Sequence, residues 1–281
     1  MKIARYSHKG KTGIGLVTGE RVHAIADAPG MIALIRDFAT WKDRIAALES
    51  EPGGIPLAEV RLLSPIERPG KIMAIGLNYA DHAAEAAMEL PTEQLWFAKA
   101  ATAINGPFDD IDLPKVSSAL DYEAELVIVI GKRCRHVSRA DAASVIFGFA
   151  VGNDVTVRDW QFKTSQFILG KSFDTHAPVG PWIVTRDAID PSALEISSYV
   201  NGERRQHSNT KYFIFDCAAI IEHLSKVMTL EPGDLIFTGT PAGVGAVMKP
   251  PKWLVEDDIV KVEIAGIGAI ENRVAAEVSR L

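Results

Sequence analysis

Cysteine is scarce in this chain: Cys134 and Cys217 are the whole supply among 281 residues. They lie far apart and form no C-x-x-C pair, which sets aside a disulfide framework and points to a reduced, cytoplasmic setting. An excess of positive charge is also missing. The formal net charge is −6, which argues against nucleic acid or an anionic membrane as the main partner. No uninterrupted apolar run approaches the roughly 20 residues needed to span a bilayer. The opening residues, MKIARYSHKGKTGIG, hold no apolar core of a signal peptide. Internal repeats and low-complexity segments are absent from the sequence. What remains is 47% hydrophobic and 23% charged, the balance of an ordinary globular enzyme.

Against that background DYEAELVIVI, residues 121–130, stands out. Leu126 to Ile130 is a short apolar run rich in β-branched residues, the composition of a buried strand. Glu123 and Glu125 sit two apart just before it, so in a strand both carboxylates project from one face, with Asp121 joining them if the strand begins that early. Like charges so close call for a cation, and a divalent metal is one answer. A strand whose exposed start carries acids for solubility has the same spacing, and spacing does not choose between the two.

Residues 2–25 alternate short β-like runs with glycines and read as a small antiparallel meander, the glycines of GIGLVTG being turn residues rather than a phosphate loop. Apolar spacing predicts a helix over Met31–Leu48. EPGGIP and the proline-bearing LLSPIERPG then break the chain, giving a small N-terminal domain over 1–66 and a larger one over 67–281. KIMAIGLNY reads as a buried strand, and ADHAAEAAMEL as a helix that puts His82 and Glu85 on one face at i and i+3. A carboxylate there can orient the imidazole as a base, or the two can form a surface ion pair. Residues 107–114 read as loop. VIFGFAVGND predicts a strand ending at Asp154, a position that suits a third ligand and equally a turn residue. Arg158 and Gln161 share a helical face downstream and can bind a carboxylate. SQFILGKS fails as a Walker A loop because Ser165 stands where glycine is needed, which leaves Lys171 for another role or a structural ion pair. Asn201-Gly202 signals a hairpin, Asp216–Met228 a helix, and residues 259–274 a closing hairpin. In DLIFTGTPAGVG, the glycines with Thr238 and Thr240 can bring N–H groups and hydroxyls to a small anion.

Taken together, GLNYADHAAE, WFAKAATAINGP, DYEAELVIVIG, GNDVTVRDWQ, GKSFDTHAPVGP, NGERRQ and FTGTPAGVG resemble the fumarylacetoacetate hydrolase family over roughly Lys71 to Val274. That resemblance implies an α+β, β-rich fold with a mixed β-sandwich or rolled-sheet catalytic domain, usually a homodimer. It implies a divalent cofactor, Mg²⁺ or Mn²⁺ with Ca²⁺ also admissible, on Glu123, Glu125 and Asp154. It matches His82 and Glu85 to a catalytic dyad on a lid helix, and Lys171, Arg158, Gln161 and Thr240 to groups that hold an α-keto acid. Asn78 stands where animal members of the family have a further acidic ligand, so the resemblance favours the bacterial acylpyruvate-type branch. The activity so implied is hydrolysis of the C–C bond of a 2,4-diketo acid, such as maleylpyruvate or fumarylpyruvate, to pyruvate and a carboxylic acid. Oxaloacetate decarboxylation and 2-hydroxyhepta-2,4-diene-1,7-dioate isomerisation are the alternatives on the same metal–enolate machinery. The acyl selectivity is expected from the lid and the segment 88–96.

Overall fold

The computed structural model of the chain describes residues 1–85 and 89–278. Leu126–Ile130 lies in the strand Ala124–Ile130, and all five residues are wholly buried. Alternate side chains leave a strand on opposite faces. Leu126, Ile128 and Ile130 accordingly enter one apolar cluster, while Val127 and Val129 enter another. A strand apolar on both faces belongs in the middle of a covered sheet. It is flanked by Ile146–Asn153 on one side and Leu235–Phe237 on the other.

That large mixed sheet runs Ile55–Pro56, Arg21–Ala24, Lys11–Thr18, Lys2–His8, Ala177–Thr185, Ile146–Asn153, Ala124–Ile130, Leu235–Phe237, Ile72–Gly76, Leu95–Lys99. Along this path the one parallel pair among the described strands joins Leu235–Phe237 to Ile72–Gly76. A five-stranded sheet, Glu203–Asn209, Glu195–Val200, Ile259–Ile264, Gly268–Ala276, Ile111–Leu113, packs Ile196, Val262 and Ile270 into the first cluster beside the helix Cys217–Val227. The second cluster takes Leu34, Ile35 and Ile45 from the N-terminal helices. The fold is thus β-rich α+β with multiple sheets. No described helix is long and apolar enough to cross a membrane, and both cysteines are free thiols.

Several expectations need correction. The helix predicted over Met31–Leu48 is two, Met31–Arg36 and Phe38–Ala47, because Asp37 leaves helical geometry at φ −104° and ψ 24°. Gly13 and Gly15 lie within the strand Lys11–Thr18, where a Cβ on Gly15 would meet Val22 Cγ2 at 2.4 Å; Gly19 alone of the three sits in the turn. The stretch 107–114 is not all loop, since Ile111–Leu113 pairs in parallel with Val274–Ala276. The helix after Asn78 spans Ala80–Glu85; of the rest of the predicted helix, 86–88 lie outside the described residues, and Glu89 and Leu90 are not helical. The N-terminal meander is as expected, Lys2–His8, Lys11–Thr18 and Arg21–Ala24 pairing antiparallel in order, and it extends the large sheet with Ile3 opposite Ile183.

Candidate active site

Antiparallel pairing of Ala124 with Asn153 sets the geometry of the acidic residues. It places Glu123 opposite Asp154, whose N–H donates to the Glu123 carbonyl at 2.9 Å. Directly opposed side chains share a face. Glu125 is two residues on from Glu123 and points the same way. The three carboxylates come within 4.8 Å of one another and all three residues are buried. The solvated strand start, the other reading of E-x-E, does not describe them.

Asp121 stands apart. It belongs to the short strand Leu120–Asp121, paired with Thr156–Val157, and its carboxylate binds Arg158 and the N–H groups of Gly245 and Ala246. It is therefore a positioning group for Arg158 rather than a fourth member of the cluster.

Cations surround the cluster unevenly. Lys171 Nζ lies 2.9 Å from Glu123 and 2.7 Å from Asp154, and Arg158 Nη1 lies 2.7 Å from Glu123. Burial raises the Glu123 carboxyl, but Lys171 and Arg158 outweigh it and bring it down to about 2. Burial likewise works against charge on Lys171, yet Asp154 and Glu123 hold its pKa above the usual lysine value. Glu125 has a different environment. It accepts the Gly239 N–H at 2.7 Å and has no ion pair among the described residues. Burial, reinforced by Asp154 and Glu123, pushes its carboxyl well above the usual range. A buried all-oxygen donor set with one carboxylate short of positive charge fits a hard divalent cation. Asn78 is not part of it. Its amide donates to the carbonyls of Phe215 and Thr238 and accepts the Phe215 N–H, so it acts as a clamp.

The other expected residues line one cavity of about 300 Å³ with Glu123 and Glu125: His82, Arg158, Gln161, Lys171 and Thr240. Gln161 accepts from Arg158 at 3.0 Å. Thr240 donates to the Ala124 carbonyl at 2.9 Å and accepts from Gln206 at 2.8 Å, so its hydroxyl is already engaged by the protein. His82 Nδ1 is 3.6 Å from Glu85 Oε2, beyond hydrogen-bond length, and has no hydrogen-bond partner among the described residues. Glu85 instead accepts the Gly243 N–H at 3.0 Å.

The glycine-rich loop after Leu235–Phe237 does bind anions, and they are the protein's own. Its N–H groups at Gly239, Gly243, Gly245 and Ala246 take Glu125, Glu85 and Asp121. Gly239 has φ +94°, and a Cβ there would lie 2.7 Å from Asn78 Cβ, so the loop can approach Glu125 only as glycine.

Two residues escaped sequence reasoning. Lys99 is buried with Nζ 2.5 Å from Asp154 Oδ1 and 3.1 Å from the Val155 carbonyl; burial lowers its pKa despite Asp154. Gln206 ties the Ala124 N–H to Thr240 and to the Pro241 carbonyl. The lysine of WFAKA and the glutamine of NGERRQ sit in the quoted motifs, but nothing in their local spacing assigns a role.

Residues 71–275 match the family described as fumarylacetoacetate (FAA) hydrolase, C-terminal, and residues 1–65 match that described as Rv2993c-like, N-terminal. Over 231 residues the chain is 45% identical to the oxaloacetate tautomerase FAHD2B, mitochondrial, of Bos taurus, covering 81% of this chain and 74% of that protein. Two crystal structures, each 36% identical and matched over 99% of this chain and 100% of theirs, have similar folds. One is 2-hydroxyhepta-2,4-diene-1,7-dioate isomerase from Mycobacterium marinum, at a TM-score of 0.81. The other is maleylpyruvate hydrolase from Sphingobium sp. SYK-6 in complex with manganese (II) ion and pyruvate, at 0.84.

Proposed function

The chain belongs to the fumarylacetoacetate hydrolase family of enzymes, and from that premise we propose that it hydrolyses the C–C bond of an acylpyruvate, using a divalent metal. The observation that carries the reading is one cavity holding His82, whose Nδ1 has no hydrogen-bond partner among the described residues, together with Glu123, Glu125 and Lys171. Glu123, Glu125 and Asp154 would hold Mg²⁺ or Mn²⁺. Bound there, the ion would polarise the 2-oxo carbonyl and stabilise enolate charge.

The protein groups carry the remaining steps. Arg158 and Gln161 hold the substrate carboxylate, with Thr240 forming the wall beside them. His82 takes a proton from water, and the hydroxide oxygen bonds to the distal carbonyl carbon. The C–C bond breaks with its electron pair going to the pyruvate enolate, which is then protonated at carbon. Lys171 supplies positive charge to the developing oxyanion. Glu85 orients His82 once rotation of the two side chains on the helix Ala80–Glu85 closes the 3.6 Å gap between them. Relatives of the family support a second reading, keto–enol tautomerisation of oxaloacetate, on the strength of the 45% identity to the bovine tautomerase. It uses only the enolate half of this chemistry, as decarboxylation and dioate isomerisation also would. Assembly as a homodimer and residence in the cytoplasm are part of the proposal.

His82→Ala tests the base, and the wild type's substrate separates the two readings. Hydrolysis requires that pyruvate release fall by about 10²–10⁴-fold while Mn²⁺ binding, read by calorimetry, stays unchanged. Pyruvate release at the wild-type rate would remove His82 as the base. A wild-type enzyme that equilibrates enol-oxaloacetate and cleaves no acylpyruvate would establish the second reading.

A further inference from the structure

The two ends of the 300 Å³ cavity differ in chemistry. Glu123 and Glu125 mark its closed end, at 7% and 1% exposure. Leu77, Leu95, Phe162, Phe167, Val244 and Val247 supply most of its apolar wall, with His82, Gln161 and Thr240 also in the lining. Phe162 is 67% exposed and Leu95 40% exposed, so this apolar wall leads to the mouth. Phe162 and Phe167 pack edge to face with centroids 5.9 Å apart, which gives the wall a defined shape.

Among the described lining residues the permanent cations are Arg158 and Lys171. Both are at the closed end and already face carboxylates: Arg158 meets Asp121 and Glu123, and Lys171 meets Glu123 and Asp154. A ligand that places its 2-oxo acid unit there reaches the apolar wall with its remaining atoms. A second carboxylate on those atoms would be set against leucine, valine and phenylalanine surface, away from Arg158 and Lys171, and would lose water there with no permanent cation of the described lining to meet it. A hydrocarbon group in the same place would displace water from leucine, valine and phenylalanine surfaces.

We infer that the acyl end of the substrate is uncharged and apolar, read by Phe162, Phe167, Leu95 and Val247, so that the enzyme prefers monocarboxylic acylpyruvates to dicarboxylic ones. The inference rests on the reading of this cavity as a 2-oxo acid site. It belongs to the hydrolytic reading: oxaloacetate carries a second carboxylate, so oxaloacetate tautomerisation as the main activity would count against it.

The test is calorimetric titration of the Mn²⁺-loaded protein with 5-methyl-2-oxohexanoate and with 2-oxoglutarate. These share a skeleton and differ in a terminal isopropyl group against a terminal carboxylate. The neutral-tailed acid is expected to bind at least about tenfold more tightly, a difference of about 1.4 kcal/mol. Val247→Lys, which adds a cation at the mouth, is expected to raise 2-oxoglutarate affinity by a similar factor. Equal or tighter binding of 2-oxoglutarate to the wild type would overturn the inference. So would Val247→Lys leaving the affinity ratio of the two ligands unchanged. If neither acid binds, the 2-oxo acid reading itself falls. Failure to release pyruvate from any acylpyruvate would overturn the proposed reaction while leaving the binding order intact.

Discussion

Glu125 sits 1% exposed, immediately before five wholly buried apolar residues, Leu126 to Ile130. Its charge is supported by one backbone N–H, that of Gly239, while Lys171 and Arg158 pair with its neighbour Glu123. The folded-state pKa of Glu125 lies above the free value of 4.5, so folding favours its protonated form. The ionisation of Glu125 costs nothing below that value and progressively more as pH rises above it. At neutral pH the metal-free protein bears this cost, and a bound divalent ion offsets it. Glu125→Gln keeps an acceptor for Gly239 and removes the charge. Metal-free Glu125→Gln is therefore expected to melt at a higher temperature than metal-free wild type at neutral pH. It should also lose most of the rise that Mn²⁺ gives the wild type, which for a metal at a hundred times its Kd is about 2.7 kcal/mol. Scanning fluorimetry with and without Mn²⁺ checks both; a lower metal-free melting temperature for the variant would contradict this account of the charge balance.

At the scale of elements, the groups around the carboxylates stand on helices of a single turn. Arg158–Gln161 carries both Arg158 and Gln161, and Ile168–Lys171 carries Lys171. Helices this short do not persist alone, so contact between them must hold them. A Cβ on Gly170 would lie 2.2 Å from Gln161 N and 2.4 Å from its Cα, backbone that cannot rotate away. Gly170→Ala is expected to push these turns apart and destabilise the protein by about 1–3 kcal/mol. It should also lower turnover through misplaced Lys171, as a denaturation curve and a parallel rate measurement would show. Unchanged stability and rate would mean that the turns are held some other way. Elements with local signals were legible in the sequence. Asn201-Gly202 turns the hairpin Glu195–Val200 to Glu203–Asn209 with φ +52° and +79°, and Asp216 caps the helix Cys217–Val227 through the Ala219 N–H. The break at Asp37 and the strand Ile111–Leu113 lacked such signals, since no glycine or proline marks the first and the second depends on a partner strand far along the chain.

For the molecule as a whole, the acidic triad could be read because strand periodicity and the family resemblance point at the same residues. Its setting could not, because long-range packing creates it. Lys99 reaches Asp154 across 55 residues, Glu123 meets Lys171 across 48, and Glu125 meets the Gly239 N–H across 114. Sequence spacing also could not show that the glycine loop's N–H groups are taken up by Glu125, Glu85 and Asp121 rather than by a ligand. Strands and short helices together bring an acidic cluster, two ion-paired lysines, an arginine and a histidine into or beside one partly apolar cavity. Metal-dependent C–C hydrolysis is the central claim drawn from that arrangement. Its most direct test is pyruvate release from acetylpyruvate with Mn²⁺ and again with excess chelator. The account predicts release of pyruvate and acetate in equal amounts, abolished by chelator and restored by added metal. Release that persists undiminished in chelator, or no release with metal present, would contradict it.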